Sequence, residues 1–243
     1  MRTRTLIAGY VLALALFLFA QRHPGSSSPS GFHAVVDLTH TFDTPVPVYQ
    51  AAGKSASSPA QFGTRIDAPA YFARGLWTVD QIPTERLIAP LVVLDVSANL
   101  QNHPDYQISV EDIVRWEQAH SQIPLGSVVI ARTGWDSRWP SVKDYRNADS
   151  RGTMHFPGFS PDAAKFLVSG RNAIGLGIDT LSIDYGPSKD SPVRQYTLAH
   201  SVYQLENVAN LDRAPTAGGT VVVAPAKLQS GSSAPVRILA LLH

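Results

Sequence analysis

Six short apolar runs rich in β-branched residues set the limits on what this chain can fold into. They are Ala34–Leu38 (AVVDL), Leu91–Val96 (LVVLDV), Ser127–Arg132 (SVVIAR), Ala173–Ile178 (AIGLGI), Thr220–Ala224 (TVVVA) and Val236–Leu242 (VRILALL). Each is bounded by Gly, Pro or polar residues, the signature of a strand. Several are apolar at consecutive positions, which a strand tolerates only when both of its faces are covered, so they are expected in the middle of a sheet. Helices are fewer. Ser109 caps an amphipathic stretch to about His120, with Val110, Ile113, Val114 and Glu117 at helical spacing. Ser160-Pro161 opens a second helix, with Pro at the first helical position, that runs to about Ser169 and ends at Gly170. No internal repeat and no break in composition follows residue 31. The pattern predicts one α/β domain with more strand than helix.

The first 31 residues have a different character. Arg2 and Arg4 precede an uncharged apolar run, Leu6–Ala20, which is expected to be a signal peptide cleaved after Ala20. It is shorter than the roughly 20 residues that span a bilayer, and an uncleaved anchor over residues 6–20 is the alternative. Residues 21–31 (QRHPGSSSPSG) form a Ser/Pro/Gly-rich linker, leaving 32–243 as the folded domain. A secreted or periplasmic location follows, with membrane contact only through the N-terminal segment if it is retained. With 20 Lys+Arg against 19 Asp+Glu and no block of like charge, the chain has no footprint for nucleic acid. The sequence contains no Cys, so a Cys nucleophile, an iron–sulfur cluster and a thiolate zinc site are excluded.

Three segments carry the candidate chemistry. Gln61–Phe72 (QFGTRIDAPAYF) places Gly, Thr, Asp and Pro within seven residues, which describes a tight loop presenting a carboxylate, with Phe62, Tyr71, Phe72 and Trp77 available to wall a pocket. Asp179–Asp184 (DTLSID) follows a buried strand, where its acids either face a site or cap the next turn. In Leu205–Leu211 (LENVANL), Glu206 is a lone acid among apolar residues, with Asn207 and Asn210 near enough to satisfy it. No nucleophile elbow, P-loop or GxGxxG motif is present, since Gly175-Leu176-Gly177 lacks the third Gly and does not open a helix.

In this order the segments DLTHTFDTPVP, QFGTRIDAPAYF, GLWTVDQIP, LIAPLVVLDV, HFPGFSPDAAKFL, GLGIDTLSIDYGPSKD, LENVANLD and APVRILAL resemble the cyclase family that includes bacterial kynurenine formamidase and isatin hydrolase, over essentially the whole of Asp37–Leu242. The resemblance implies a single-domain α/β fold of the swivelling β/β/α cyclase type, a homo-oligomer, and a divalent metal, zinc or manganese, that activates water against a small amide, formamide or lactone carbonyl. The family motif HxGTHxDxPxH matches here at Gly63, Thr64, Asp67 and Pro69, while its His positions fall on Gln61, Arg65 and Tyr71. A later family His falls on Arg194, and Glu206 matches a metal-binding Glu. The roles so implied are catalysis for Tyr71, Asp67 and Glu206; substrate binding for Arg65, Arg194, Trp77 and Phe62; and metal ligation for Asp67, Glu206, Gln61 and His200, with His40 and His155 as further imidazoles. Arg has five donors and no acceptor and cannot ligate a metal. The alternative expectation is therefore a metal-free, inactive relative in which an Arg–carboxylate network replaces the ion and Arg65 and Arg194 bind an anionic small molecule.

Overall fold

The computed structural model describes residues 31–41, 63–100 and 103–243. The expected signal peptide 1–20, all but the last residue of the expected linker, and Gln61 and Phe62 lie outside the described residues. Ala34–His243 forms one compact unit. Ten strands are described in it: β1 (Ala34–Asp37), β2 (Arg65–Asp67), β3 (Ile88–Asp95), β4 (Gln107–Ile108), β5 (Val128–Arg132), β6 (Gly158–Phe159), β7 (Gly175–Ile178), β8 (Tyr203–Glu206), β9 (Gly219–Pro225) and β10 (Ser233–Leu242). The α-helices are α1 (Val110–His120), α2 (Val142–Arg146), α3 (Pro161–Lys165) and α4 (Pro192–Ala199).

Eight strands form a sheet in the order β1-β10-β2-β8-β7-β5-β3-β9, and β9 also pairs with β10. That second pairing closes the sheet into a ring. The long β10 makes closure possible: Ser233–Pro235 pairs with β2 and Leu239–Leu242 with β1 on one edge, while Val236–Leu241 pairs with β9 on the other. Strands β3, β5, β7 and β8 run parallel to their neighbours in that set, and the remaining pairs are antiparallel.

Strand alternation divides the apolar residues between two cores. Ile66, Leu91, Val93, Val128, Ile130, Leu205, Val223 and Ile238 meet in the cluster enclosed by the ring. Val92, Leu94, Val129, Ala131, Leu176 and Ile178 point the other way, onto Ile113 and Trp116 of α1 and Ala163, Ala164 and Leu167 around α3. Each fully buried Val, Leu or Ile contributes about 1.5–3 kcal/mol, so the strands apolar on both faces hold two layers at once. Gly177 leaves room for this: a Cβ there would lie 3.1–3.3 Å from the side chains of Ile130 and Leu205, and one at Gly175 would come 2.5 Å from the Tyr203 ring.

All six runs form strands, with ends shifted by no more than three residues. The Ser109 cap is present: its side chain accepts from Asp112 N at 3.3 Å, and Asp112 Oδ2 accepts from Ser109 N at 2.9 Å. The buried stripe of α1 is Ile113 and Trp116, and Val114 is exposed, because Trp116 Nε1 is drawn inward to donate to Val93 O. Ser160 caps α3, but the helix passes through a π-turn at Phe166–Gly170 before it ends. The QFGTRIDAPAYF segment is not a simple loop. Its Arg65–Asp67 is a buried strand, missed because three residues are too few to show a period.

Candidate functional site

Register gathers the site. In the β2–β8 pair Arg65 lies opposite Glu206 and Asp67 opposite Gln204. Ile66 and Leu205 turn into the ring, so their neighbours Arg65, Asp67, Gln204 and Glu206 all project from the other face. There α4 supplies Arg194. Asp184 fixes that helix by accepting from Val193 N at 2.9 Å and Arg194 N at 3.0 Å, satisfying two of the donors a helix start leaves open. Ser191 enters the helix with φ of 48°.

Arg65, Asp67, Arg194 and Glu206 are 3, 1, 4 and 0% exposed, so almost no water is left to solvate four charges. They solvate one another. Arg65 Nη2 donates to Glu206 Oε2 and to Leu181 O at 2.8 Å, and its Nε lies 3.9 Å from Asp67 Oδ1. Arg194 bridges both acids, with Nη1 donating to Asp67 Oδ2 and Nη2 to Glu206 Oε1, and Nη2 also donates to Ser182 Oγ at 3.1 Å. Glu206 Oε1 further accepts from Ile183 N at 3.0 Å. Burial pushes the Glu206 carboxyl up, opposed by the guanidiniums of Arg194 and Arg65. Burial also works against the charge on Arg194, but Glu206 and Asp67 outweigh it and hold that guanidinium more firmly protonated than usual. Two polar atoms of the quartet, Arg65 Nη1 and Asp67 Oδ1, have no hydrogen-bond partner among the described residues. Tyr71, on the turn after β2, sets its ring 5.2 Å from the Arg194 guanidinium carbon and is only partly buried. Burial and the Asp67 charge raise its pKa, so it keeps its proton.

Other candidates are placed elsewhere. His200 lies at the exposed C-terminus of α4, with Nδ1 2.7 Å from Tyr196 O, too far along the helix to join Asp67 and Glu206. His155 is held by Asp105 at 2.7 Å, and His40 stacks on Trp139 at 3.8 Å. Trp77 packs against the enclosed core beneath Arg86 rather than beside the quartet. Phe72 is half exposed. Asn207 and Asn210 do not bond to Glu206. Asn207, at φ of 56°, donates to Gly63 O at 2.7 Å and accepts from Tyr145 Oη at 3.1 Å, while Asn210 donates to Asp37 O at 2.8 Å. Asn207 thus ties together the chain segments that carry Arg65 and Glu206, and Asn210 ties its own segment to β1. Of the DTLSID acids, Asp184 caps α4 and Asp179 collects Thr133, Gly134 and Trp135 N–H groups at the end of β5. Burial pushes Asp179 up to about 7 against those donors. Ser182 and the Ile183 amide were not singled out by sequence. Only their place inside DTLSID pointed to them. A cleft of about 450 Å³ lined by Tyr185, Pro192 and Val193 shares Asp184 with the site.

The divalent ion implied by the resemblance does not fit this donor set. Among the described residues, no three His, Cys, Asp or Glu side chains group to hold one. The two carboxylates already face guanidiniums, which offer no lone pair. At about 4 Å and an effective dielectric of about 20, each guanidinium repels a doubly charged ion by roughly 8 kcal/mol.

Comparison with known proteins gives the wider context. The Cyclase family model matches residues 36–185, more than half of the chain. The chain is 34% identical over 188 residues to isatin hydrolase of Roseibium aggregatum, covering 74% of this chain and 71% of that protein. It is 27% identical over 175 residues to kynurenine formamidase of Salinibacter ruber, covering 72% and 73%. The solved structure of isatin hydrolase A from Labrenzia aggregata bound to benzyl benzoate superposes with a TM-score of 0.78 at 32% identity, covering 86% of this chain and 93% of that one.

Proposed function

Because the chain belongs to the cyclase family, whose fold it shares, we propose that it is a hydrolase that takes a small neutral amide, formamide or lactone at the Arg65–Asp67–Arg194–Glu206 quartet. One observation carries this reading: the quartet balances its own charge and leaves over one donor, Arg65 Nη1, and one acceptor, Asp67 Oδ1. That pair complements the C=O and N–H of an amide. An anion finds less there, since both guanidiniums already face carboxylates. The names of the two relatives fit the same class, isatin being a lactam and the formamidase substrate a formamide.

In this reading the substrate carbonyl oxygen accepts from Arg65 Nη1, which stabilises the negative charge that develops on it when water attacks. Asp67 Oδ1 takes the proton from that water. Collapse of the tetrahedral intermediate breaks the C–N bond, and the leaving nitrogen takes a proton from Tyr71, whose raised pKa keeps it a donor. Tyr71 is then reprotonated from Asp67, which restores both groups. No step uses a metal ion. We place the reaction outside the cytoplasm on the strength of Arg2, Arg4 and the apolar segment Leu6–Ala20.

Hydrolysis of isatin and of N-formylkynurenine, followed by absorbance with chelator and with added Mn²⁺ or Zn²⁺, tests this. Turnover that survives the chelator and falls by a factor of about 10² or more in Asp67→Asn is expected. A second reading, a binding protein without turnover, is favoured by the pairing of every charge in the quartet, which leaves no free nucleophile. It predicts thermal stabilisation by the same amides with no product. Neither turnover nor stabilisation by any amide or lactone would overturn both.

A further inference from the structure

We propose that Arg65 and Arg194 together are the permanent cation of this site: two guanidiniums replace a divalent ion, and affinity for such an ion appears only when an arginine is removed. The inference concerns the same quartet but stands whether or not the protein hydrolyses an amide. Arg194 reaches one oxygen of Asp67 and one of Glu206, bridging the two acids as an ion between them would. Arg65 takes the other Glu206 oxygen. Two positive charges thus meet two negative ones at positions almost withdrawn from bulk solvent.

The arrangement is built into the fold. The main-chain N of Arg194 is held by Asp184, its Nη2 has a further acceptor in Ser182 Oγ, and Arg65 Nη2 has one in Leu181 O. A single chain segment, Leu181–Asp184, therefore aims both guanidiniums at the acids. A surface arginine that had drifted into the site would have no such supports. The imidazoles that could have supplied lone pairs are elsewhere, since His200 sits on the exposed end of α4 and His155 on Asp105. Removing one arginine leaves a carboxylate pair with one positive charge too few, in a buried cavity the size of a guanidinium. With both arginines present, the attraction of two carboxylates for a divalent ion is cancelled by the repulsion of two guanidiniums; with one arginine removed, the attraction prevails.

The full-length protein, incubated with Mn²⁺ or Zn²⁺ and dialysed, is expected to retain no stoichiometric metal, and its thermal midpoint to be the same with Mn²⁺, Zn²⁺ or chelator. Arg194→Ala, and independently Arg65→His, are expected to start from a lower midpoint and to regain several degrees on addition of Mn²⁺, a response the parent lacks. If Arg194→Ala does not fold, Arg65→His and the parent's own metal content still decide. One equivalent of metal retained by the parent and released by Asp67→Ala would overturn the proposal. So would folded variants that ignore Mn²⁺ altogether. A metal-free parent that fails to hydrolyse any amide leaves this inference standing and removes only the hydrolase reading.

Discussion

The two faces of β2 and β8 make different demands on the same few residues. On the enclosed face, Ile66 and Leu205 pack into a cluster contributed by many strands, where any side chain of about the right volume serves. On the other face, one residue away, Arg65, Asp67 and Glu206 have partners fixed atom by atom. A buried ion-pair network is weak evidence of a stability role, because well-packed apolar residues of similar volume commonly hold a fold as well or better. The apolar face accounts for the fold. The charged face costs desolvation and is better explained by what the site does with its charges.

The sharpest way to break this contrast is Arg194→Met. It strands Asp67 and Glu206 together and should cost about 3–5 kcal/mol in chemical unfolding. Combined with Asp67→Asn it should cost less than the sum of the two single changes, with a coupling of about 1–3 kcal/mol, whereas additivity would mean that the quartet is not a unit. On the enclosed face, Leu205→Ala should cost about 3 kcal/mol through the cavity it leaves.

A further effect tests a mostly buried imidazole outside the quartet. Burial pushes His40 down to about 4. Above about pH 6.5 both folded and unfolded chains carry it neutral, and below that the unfolded chain takes up a proton the fold refuses. Its contribution is therefore lost as pH falls from about 6.5 towards 4, by up to about 3 kcal/mol, and His40→Phe, which keeps the stack on Trp139, should flatten that part of the stability profile. The smallest effect is on the surface. Arg115→Ala breaks an ion pair with Asp112 whose arginine side chain is 66% exposed, and should change stability by no more than about 0.5 kcal/mol.

Much of this was legible before the fold was known. Composition and the six apolar runs specified an α/β domain, and the resemblance to the cyclase family singled out Arg65 and Arg194 beside Asp67 and Glu206, which the structure brings together. The site could not be completed from sequence for local reasons. Strands β2 and β8 are three and four residues long, too short for a period to show. Trp77 and His200 were plausible by residue type, yet each is turned away by the element that carries it, Trp77 towards Arg86 and His200 off the end of α4. The supporting acceptors Ser182 Oγ and Leu181 O are ordinary residues whose role exists only through position.

By itself, the sequence determined that several strands are covered on both faces and that the chain lacks thiolate chemistry, which depend on residue type and near spacing. Its resemblance to the cyclase family added that arginines stand where the family carries imidazoles. Only the tertiary structure decided which atoms of Arg65 and Arg194 pair with Glu206 and Asp67 and which are left without a partner. That outcome rests on a strand register and a helix start that join residues up to 141 positions apart, and once water is excluded each charge must find its opposite within the fold.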